Sequence, residues 1–233
     1  MVRTCFVVPS LLVDQHKADM LKGSIEALVS TVENPTIRII LSGDTKLKPD
    51  LPEEYFYYVV KKPGDRLSYS EAINIGIKSC IEEKDKWDLV VFYSDDIFPY
   101  IKDWNVNLYN ALNRVPNLVI ATCAENLPYR DAMRISWVSF HGGCWSAKPE
   151  TLQEIGYFDE RYKMGTLDDT DYWHRCNSKG YLGAIVYSAP VLHECAATFK
   201  KLPEFDQRFK ENLKKFEDKW GFSIFGTYQF TLE

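Results

Sequence analysis

Strand-length apolar runs alternate with segments in helical register through the first half of the chain, and no other feature constrains its fold as much. Thr4 to Val8 has the pattern of a buried strand ending at Pro9. Lys17 to Val32 places Leu21, Ile25, Leu28, Val29 and Val32 at helical spacing, which predicts a helix. Ile37 to Leu41 predicts a second strand, closed by Ser42-Gly43-Asp44, and Tyr55 to Val60 a third, followed by a turn at Pro63-Gly64. Ser70 to Ile81 carries Ala72, Ile73, Ile77 and Ile81 on one side, with Ser68 or Ser70 as its cap. Asp88 to Tyr93 is nearly all apolar, as suits a central parallel strand buried on both faces.

This βαβ order predicts an α/β fold: a doubly wound, mostly parallel sheet flanked by helices, with ligands at the carboxyl ends of its strands. Those ends are Pro9-Ser10, Ser42-Gly43-Asp44 and Ser94-Asp95-Asp96. No Gly-x-Gly-x-x-Gly follows the first strand and no Walker lysine loop is present, which disfavours dinucleotide and P-loop readings. The second half is less regular. It predicts a short helix around Trp104, Leu108 and Leu112, and a strand from Asn117 to Cys123. Strands from Ile135 to Phe140 and from Cys144 to Ala147 surround Gly142-Gly143. Helices are expected over Thr151 to Ile155 and over Asp169 to Lys179, the latter ending at Gly180. An amphipathic tail runs from Glu204 to Trp220. With no repeat or linker, one domain is expected over 1–233. A nucleotide-binding half covers 1–98, an acceptor and catalytic half 99–202, and a C-terminal helix and tail 203–233.

Hydrophobic residues make up 45% and aromatics 14% of 233 residues, enough for one sizeable core and a ring-lined pocket. The net charge of −5 argues against a nucleic-acid partner, because phosphate recognition rests on basic surface. Cys5, Cys80, Cys123, Cys144, Cys176 and Cys195 are scattered without C-x-x-C spacing, so they are read as reduced, mostly buried thiols of a cytoplasmic protein. The opening run from Arg3 to Val8 is too short for a signal-peptide core. No stretch of roughly 18 apolar residues is present to form a transmembrane segment.

Three groups of residues carry candidate chemistry. Asp95 and Asp96 follow a hydrophobic strand, and adjacent carboxylates are tolerated there if a divalent cation offsets their charge. A solvated turn or a helix cap would account for the same pair. Asp168, Asp169 and Asp171 open a predicted helix, where they complement its dipole; one of them could also take a proton from a reacting hydroxyl. His193 follows the apolar run Ala189 to Leu192 and gains interest as a metal ligand only beside those carboxylates. His16, His141 and His174 read as structural or surface residues, with His141 notable for its glycine neighbours.

Together these segments resemble the family-2 glycosyltransferases, inverting enzymes of the GT-A fold, over most of the chain. Phe6 to Pro9 looks like the family's first nucleotide-contacting strand. Ser70 to Ile77 looks like its A-x-N-x-G helix, and Leu89 to Pro99 like the strand and Asp-x-Asp motif. Ile155 to Arg161, then Asp168 to Arg175 and Gly180-Tyr181, match the family's late block in order and spacing.

The resemblance implies a glycosyltransferase that moves a sugar from a nucleotide-diphosphate sugar to an acceptor hydroxyl with inversion. The acceptor would be a glycan, a protein or a lipid-linked chain. It implies Asp169 as catalytic base, and Asp96 with His193 as ligands of Mn2+ or Mg2+. One histidine among oxygen ligands suits manganese better than zinc. The implied donor-binding residues are Pro9, Ser10, Ser42, Asp44, Arg66, Asn74, Ser94, Asp95, Gly142, Gly143 and Asp168. Two positions depart from the pattern: Ser94 replaces the first acid of Asp-x-Asp, and Asp44 lies two positions later than the usual base-contacting Asp. Two alternatives remain. One is a catalytically weak or inactive GT-A-like domain that binds nucleotide or glycan. The other is a sugar-nucleotide pyrophosphorylase, disfavoured because its glycine-rich opening is missing.

Overall fold

The structure, a computed structural model, describes residues 1–60, 66–136, 142–163, 165–194 and 205–223. The expected turn at Pro63-Gly64, positions 137–140 of an expected strand, His141 and Cys195 lie outside the described residues.

β1 (Thr4–Leu12), β2 (Thr36–Gly43), β3 (Tyr58–Val59) and β4 (Leu89–Tyr93) form a parallel half-sheet in the order β3-β2-β1-β4. α1 (Gln15–Thr31) and α2 (Tyr69–Glu82) cross between these strands. α1 starts where the Asp14 side chain accepts from the Lys17 N–H. α2 starts with a capping box between Ser68 and Glu71, a device that contributes about 1 kcal/mol. Ser68 is therefore the cap, and Ser70 is left for another role.

The apolar alternation of β1 explains the layering. Phe6 and Val8 point into a core shared with α1 and with α3 (Trp104–Arg114). Cys5 and Val7 point into a second core with α2, α4 (Pro149–Ile155) and α5 (Asp168–Ser178). β4 divides in the same way, with Leu89, Val91 and Tyr93 on one face and Val90 and Phe92 on the other. Both strands are buried on both sides, as their unbroken hydrophobicity requires. Gly76 lets α2 come close to the sheet, since a Cβ there would collide with the Val7 side chain.

Two expectations need correction. β1 runs past Pro9 to Leu12, pairing Leu12 with Gly43. Its pairing with β4 stops at Val7↔Phe92, so beyond that point β1 is an open edge on one side and accommodates a proline. The expected third strand from Tyr55 to Val60 shrinks to Tyr58–Val59, because Glu53–Tyr55 close a 3-10 turn in which the Tyr55 N–H donates to the Pro52 carbonyl.

The second half extends the same sheet instead of starting another. β8 (Cys144–Ala147) inserts antiparallel between β4 and β6 (Leu118–Glu125). β9 (Leu182–His193) runs parallel to β6, and β5 (Ile97–Pro99) and β7 (Met133–Ser136) pair antiparallel with β9. Nine strands are thus joined among the described residues.

α6 (Phe205–Trp220) lies against the segment that leads into α5. Lys219 Nζ stands 2.8 Å from Asp171 Oδ1 and 3.0 Å from Asp159 Oδ2. Trp220 Nε1 donates to Asp171 Oδ1 at 2.9 Å. The buried Asn212 amide donates to the Lys163 and Thr166 carbonyls. Asp171, wholly buried, therefore serves as the anchor of α6.

Candidate active site

Strand register gathers one part of the site from three distant stretches. β4 ends at Tyr93, and the chain turns through Ser94-Asp95-Asp96, with the Ile97 N–H donating to the Ser94 carbonyl. Ile97 then pairs with His193 across β5 and β9, so Asp96 arrives beside His193. Asp96 Oδ1 and His193 Nε2 are 3.2 Å apart. On the other side of the ring, His193 Nδ1 lies 2.7 Å from Glu125 Oε2, at the end of β6. The Asn126 side chain holds the His193 backbone from both sides, accepting from its N–H at 3.0 Å and donating to its carbonyl at 2.9 Å. Burial works against the imidazolium, but the flanking Asp96 and Glu125 carboxylates outweigh it and lift His193 to about 10. Asp96 is held below its ordinary value: burial opposes the shift, and the hydrogen bond and charge of His193 prevail.

Asp95 turns the opposite way. Its Oδ1 accepts from Lys17 Nζ at 2.8 Å and its Oδ2 from Ser10 Oγ at 2.6 Å, with all three residues buried. Burial pushes the Asp95 carboxyl up, against the pull of Lys17. The two adjacent acids thus have separate counter-charges, Lys17 for one and His193 for the other.

The second carboxylate cluster stands at the N-terminus of α5. Asp168 Oδ2 accepts from Ser70 Oγ at 3.0 Å, tying α5 to the first turn of α2. Asp168 Oδ1 accepts the Asp169 N–H at 3.1 Å, and Asp169 Oδ1 accepts the Thr170 N–H at 2.7 Å. Burial, joined by the neighbouring Asp169 charge, raises Asp168 to about 7. Asp169 is half-buried. Tyr69 OH donates to the Gly142 carbonyl at 2.8 Å and so ties α2 to the glycine pair.

Gly142 and Gly143 lie between the two clusters. The Ser94 N–H donates to the Gly143 carbonyl, continuing the β4–β8 ladder. A Cβ on Gly142 would stand 3.0 Å from Asp169 Oδ2, and one on Gly143 would stand 2.6 Å from Glu125 Oε1 and 2.8 Å from His193 Cε1. Without side chains, these residues leave Asp169 on one flank and the Asp96–His193 pair on the other.

No protein-family model matches the chain. Over 115 residues it is 29% identical to the N-acetylglucosaminyl-diphospho-decaprenol L-rhamnosyltransferase of Mycobacterium tuberculosis, in strains CDC 1551 / Oshkosh and ATCC 25618 / H37Rv. That match covers 42% of this chain and 36% of the relative, so the chain spans about a third of the length of the curated relatives it matches. Among solved structures it is similar to GalNAc-T7 with UDP, GalNAc and Mn2+, at TM-score 0.63 and 12% identity over 83% of this chain and 44% of that one. It is also similar to the mannosyltransferase PcManGT from Pyrobaculum calidifontis in complex with GDP-Man and Mn2+. There the TM-score is 0.57 and the identity 14%, over 82% of this chain and 56% of that one. The chain has the GT-A fold. The curated relative and both structural neighbours are glycosyltransferases.

The other expected donor-binding residues of this GT-A domain are placed unevenly. Pro9 and Ser42 lie in β1 and β2, with Ser42 buried and paired with Leu11. Asp44 is exposed just beyond β2, where its side chain accepts the Lys46 N–H. Arg66 is exposed before α2. Asn74 is engaged elsewhere: its amide donates to the Phe158 carbonyl and to Glu160, and its oxygen accepts the Phe158 N–H at 2.7 Å. It fastens α2 to the Gly156–Arg161 segment, whose Phe158 stacks on Tyr172.

The donor set fits a hard divalent cation held jointly with a ligand. Asp96 and His193 offer one oxygen and one nitrogen side by side, while Asp95 is engaged by Lys17. Among the described residues no group of three or more His, Cys, Asp or Glu side chains is arranged to hold a metal. Two protein ligands completed by phosphate oxygens and water are typical of Mg2+- and Mn2+-assisted phosphate sites. Lys17, Tyr69 and Glu125 are the site residues missing from the sequence reading. Lys17 had a visible signal, because it falls in helical phase with Leu21, Ile25 and Leu28 on the buried stripe of α1.

Proposed function

We propose that this GT-A domain transfers a sugar from a nucleotide-diphosphate donor to an acceptor hydroxyl with inversion. The observation that carries the reading is the opposition of Asp169 and the Asp96–His193 pair across Gly142-Gly143. That opposition supports a carboxylate for the acceptor on one side and a cation-competent pair for the leaving diphosphate on the other.

Asp96 and His193 would hold Mn2+ or Mg2+, which when bound supplies positive charge for the departing diphosphate. The remaining chemistry belongs to the chain. The sugar lies over the glycine pair, where any side chain would intrude. Asp169 accepts the proton of the acceptor hydroxyl as its oxygen bonds to the anomeric carbon, from the face opposite the breaking bond to diphosphate. Asp168, held by Ser70, accepts the Asp169 backbone N–H, and the Thr170 N–H donates to the Asp169 carboxylate. Pro9, Ser10, Ser42, Asp44, Arg66 and Ser94 would contact the nucleotide near the carboxyl ends of the strands.

The likeness to a decaprenol-linked rhamnosyltransferase supports a lipid-linked or glycan acceptor, with a protein acceptor as the third option. The buried free thiols at Cys5, Cys80, Cys123, Cys144 and Cys176 support a reducing compartment such as the cytoplasm. Among the described residues no helix is long and apolar enough to cross a membrane.

The test is a panel of UDP-, GDP- and dTDP-sugars with Mn2+, read first by thermal shift and then by nucleotide release with candidate acceptors. The expected result is stabilisation by one nucleotide series and EDTA-sensitive nucleotide release that Mn2+ restores. Stabilisation with no turnover across the acceptors would support the non-catalytic reading. Release of sugar 1-phosphate on adding pyrophosphate would support a pyrophosphorylase.

A further inference from the structure

Glu125 belongs to none of the motifs described above, yet it is among the most constrained side chains of the site. It ends β6, which pairs it with Val191 of β9. Its Oε1 accepts the Cys144 N–H at 3.1 Å, and its Oε2 lies 2.7 Å from His193 Nδ1. Only 13% of the Glu125 side chain and 16% of the His193 side chain is exposed. Gly143 packs so closely that no Cβ could stand there without displacing Glu125 or His193.

A carboxylate accepts hydrogen bonds and donates none, so the His193 nitrogen facing Glu125 must carry the hydrogen. Nε2 faces a carboxylate too, Asp96 Oδ1 at 3.2 Å, so without a cation it also carries a hydrogen. A cation would take the place of that hydrogen and receive the Nε2 lone pair, while Nδ1–H stays on Glu125. Such carboxylate–histidine pairs fix ring orientation and tautomer in metal sites. We propose that Glu125 is a positioning residue that holds His193 as the Nδ1–H tautomer and so presents Nε2, together with Asp96, to a divalent cation. This rests on the glycosyltransferase reading only for what the cation is used for; the geometry of Glu125 is independent of it. The competing account is a structural ion pair that merely ties β6 to β9.

Glu125→Gln separates the two. A glutamine whose carbonyl keeps the Cys144 N–H turns its NH2 toward Nδ1, which drives the ring proton to Nε2 and blocks the cation. The full chain would be titrated with Mn2+ alone, read by water-proton relaxation, as wild type, Glu125→Gln, His193→Ala and the double variant. Melting temperatures would be recorded in parallel. Glu125→Gln is expected to weaken Mn2+ binding about 10- to 100-fold in a folded protein and to add nothing in the His193→Ala background. In turnover it should raise the Mn2+ concentration for half-maximal rate while leaving kcat at saturating Mn2+ near wild type. Unchanged Mn2+ affinity in Glu125→Gln, or effects that add to those of His193→Ala, would reduce the contact to a structural pair. Transfer activity in a wild type whose Mn2+ binding ignores both substitutions would overturn the role of Glu125 and leave glycosyl transfer standing. The expected Mn2+ pattern without transfer from any donor would do the reverse.

Discussion

Lys17 Nζ lies 2.8 Å from Asp95 Oδ1 beneath the floor of the site, joining the first turn of α1 to the turn after β4. A lysine at a buried helical position is costly alone, and here its charge is matched by a carboxylate and its hydrocarbon stem lies among core atoms. Removing one partner strands the other. Lys17→Met is therefore expected to destabilise the fold by about 3 to 5 kcal/mol in urea unfolding, and the Lys17→Met/Asp95→Asn pair should recover much of that. Equal losses in the single and double variants would show that Asp95 does not depend on Lys17.

As the proposed base, Asp169 should matter to turnover more than to binding. Asp169→Asn is expected to lower kcat by about 100- to 10,000-fold while the nucleotide-induced thermal shift stays near wild type. Near-normal nucleotide release by this variant would remove Asp169 from the role of base.

Asp168 gives the protein a pH dependence of definite sign. Burial and the Asp169 charge raise its carboxyl to about 7, well above the value of about 4 for an unfolded chain. A group with a raised folded pKa stabilises the native state fully below its unfolded pKa, and that contribution is lost as pH rises through the folded pKa. Between pH 5 and 8 the melting temperature of wild type should fall relative to Asp168→Asn, whose amide can still meet Ser70 and the Asp169 N–H. Parallel curves for the two proteins would show that Asp168 is ionised throughout.

Gly76 tests the packing of α2 on β1. Gly76→Ala places a methyl against Val7 and is expected to cost about 1 to 3 kcal/mol by overpacking. Combining it with Val7→Ala should give a loss smaller than the sum of the two, measured by denaturant unfolding. Additive losses would mean that the helix moves away from the strand at little cost.

Periodicity made the first half of the fold legible, because α1 and α2 each bury a face that repeats along the sequence and β1, β2 and β4 are apolar runs buried almost throughout. β3 was misread, since its aromatic run looks like a strand until Pro52 closes the preceding turn. The site was legible one side chain at a time. Asp96, Asp169 and His193 could be singled out by motif, but their relative placement depends on the β5–β9 and β4–β8 registers, which involve residues far apart in sequence. Glu125 is an acid after an apolar strand, a signal that many surface residues share. Asn74 had a motif and a different task, fastening one backbone segment to another.

The clasp formed by Lys219 and Trp220 on Asp171 has a consequence for how the protein loses activity. Asp171 lies two residues beyond Asp169, and of α6 only Asn212 and Phe216 are fully buried. A helix so shallowly seated opens at a lower free energy than the central sheet. When it lifts, the start of α5 loses one of its tethers while the nine-stranded core stays folded. Amide hydrogens of α6 and of the first turn of α5 should therefore exchange together and earlier than those of β1 and β4. On heating, turnover should fade before the sheet melts.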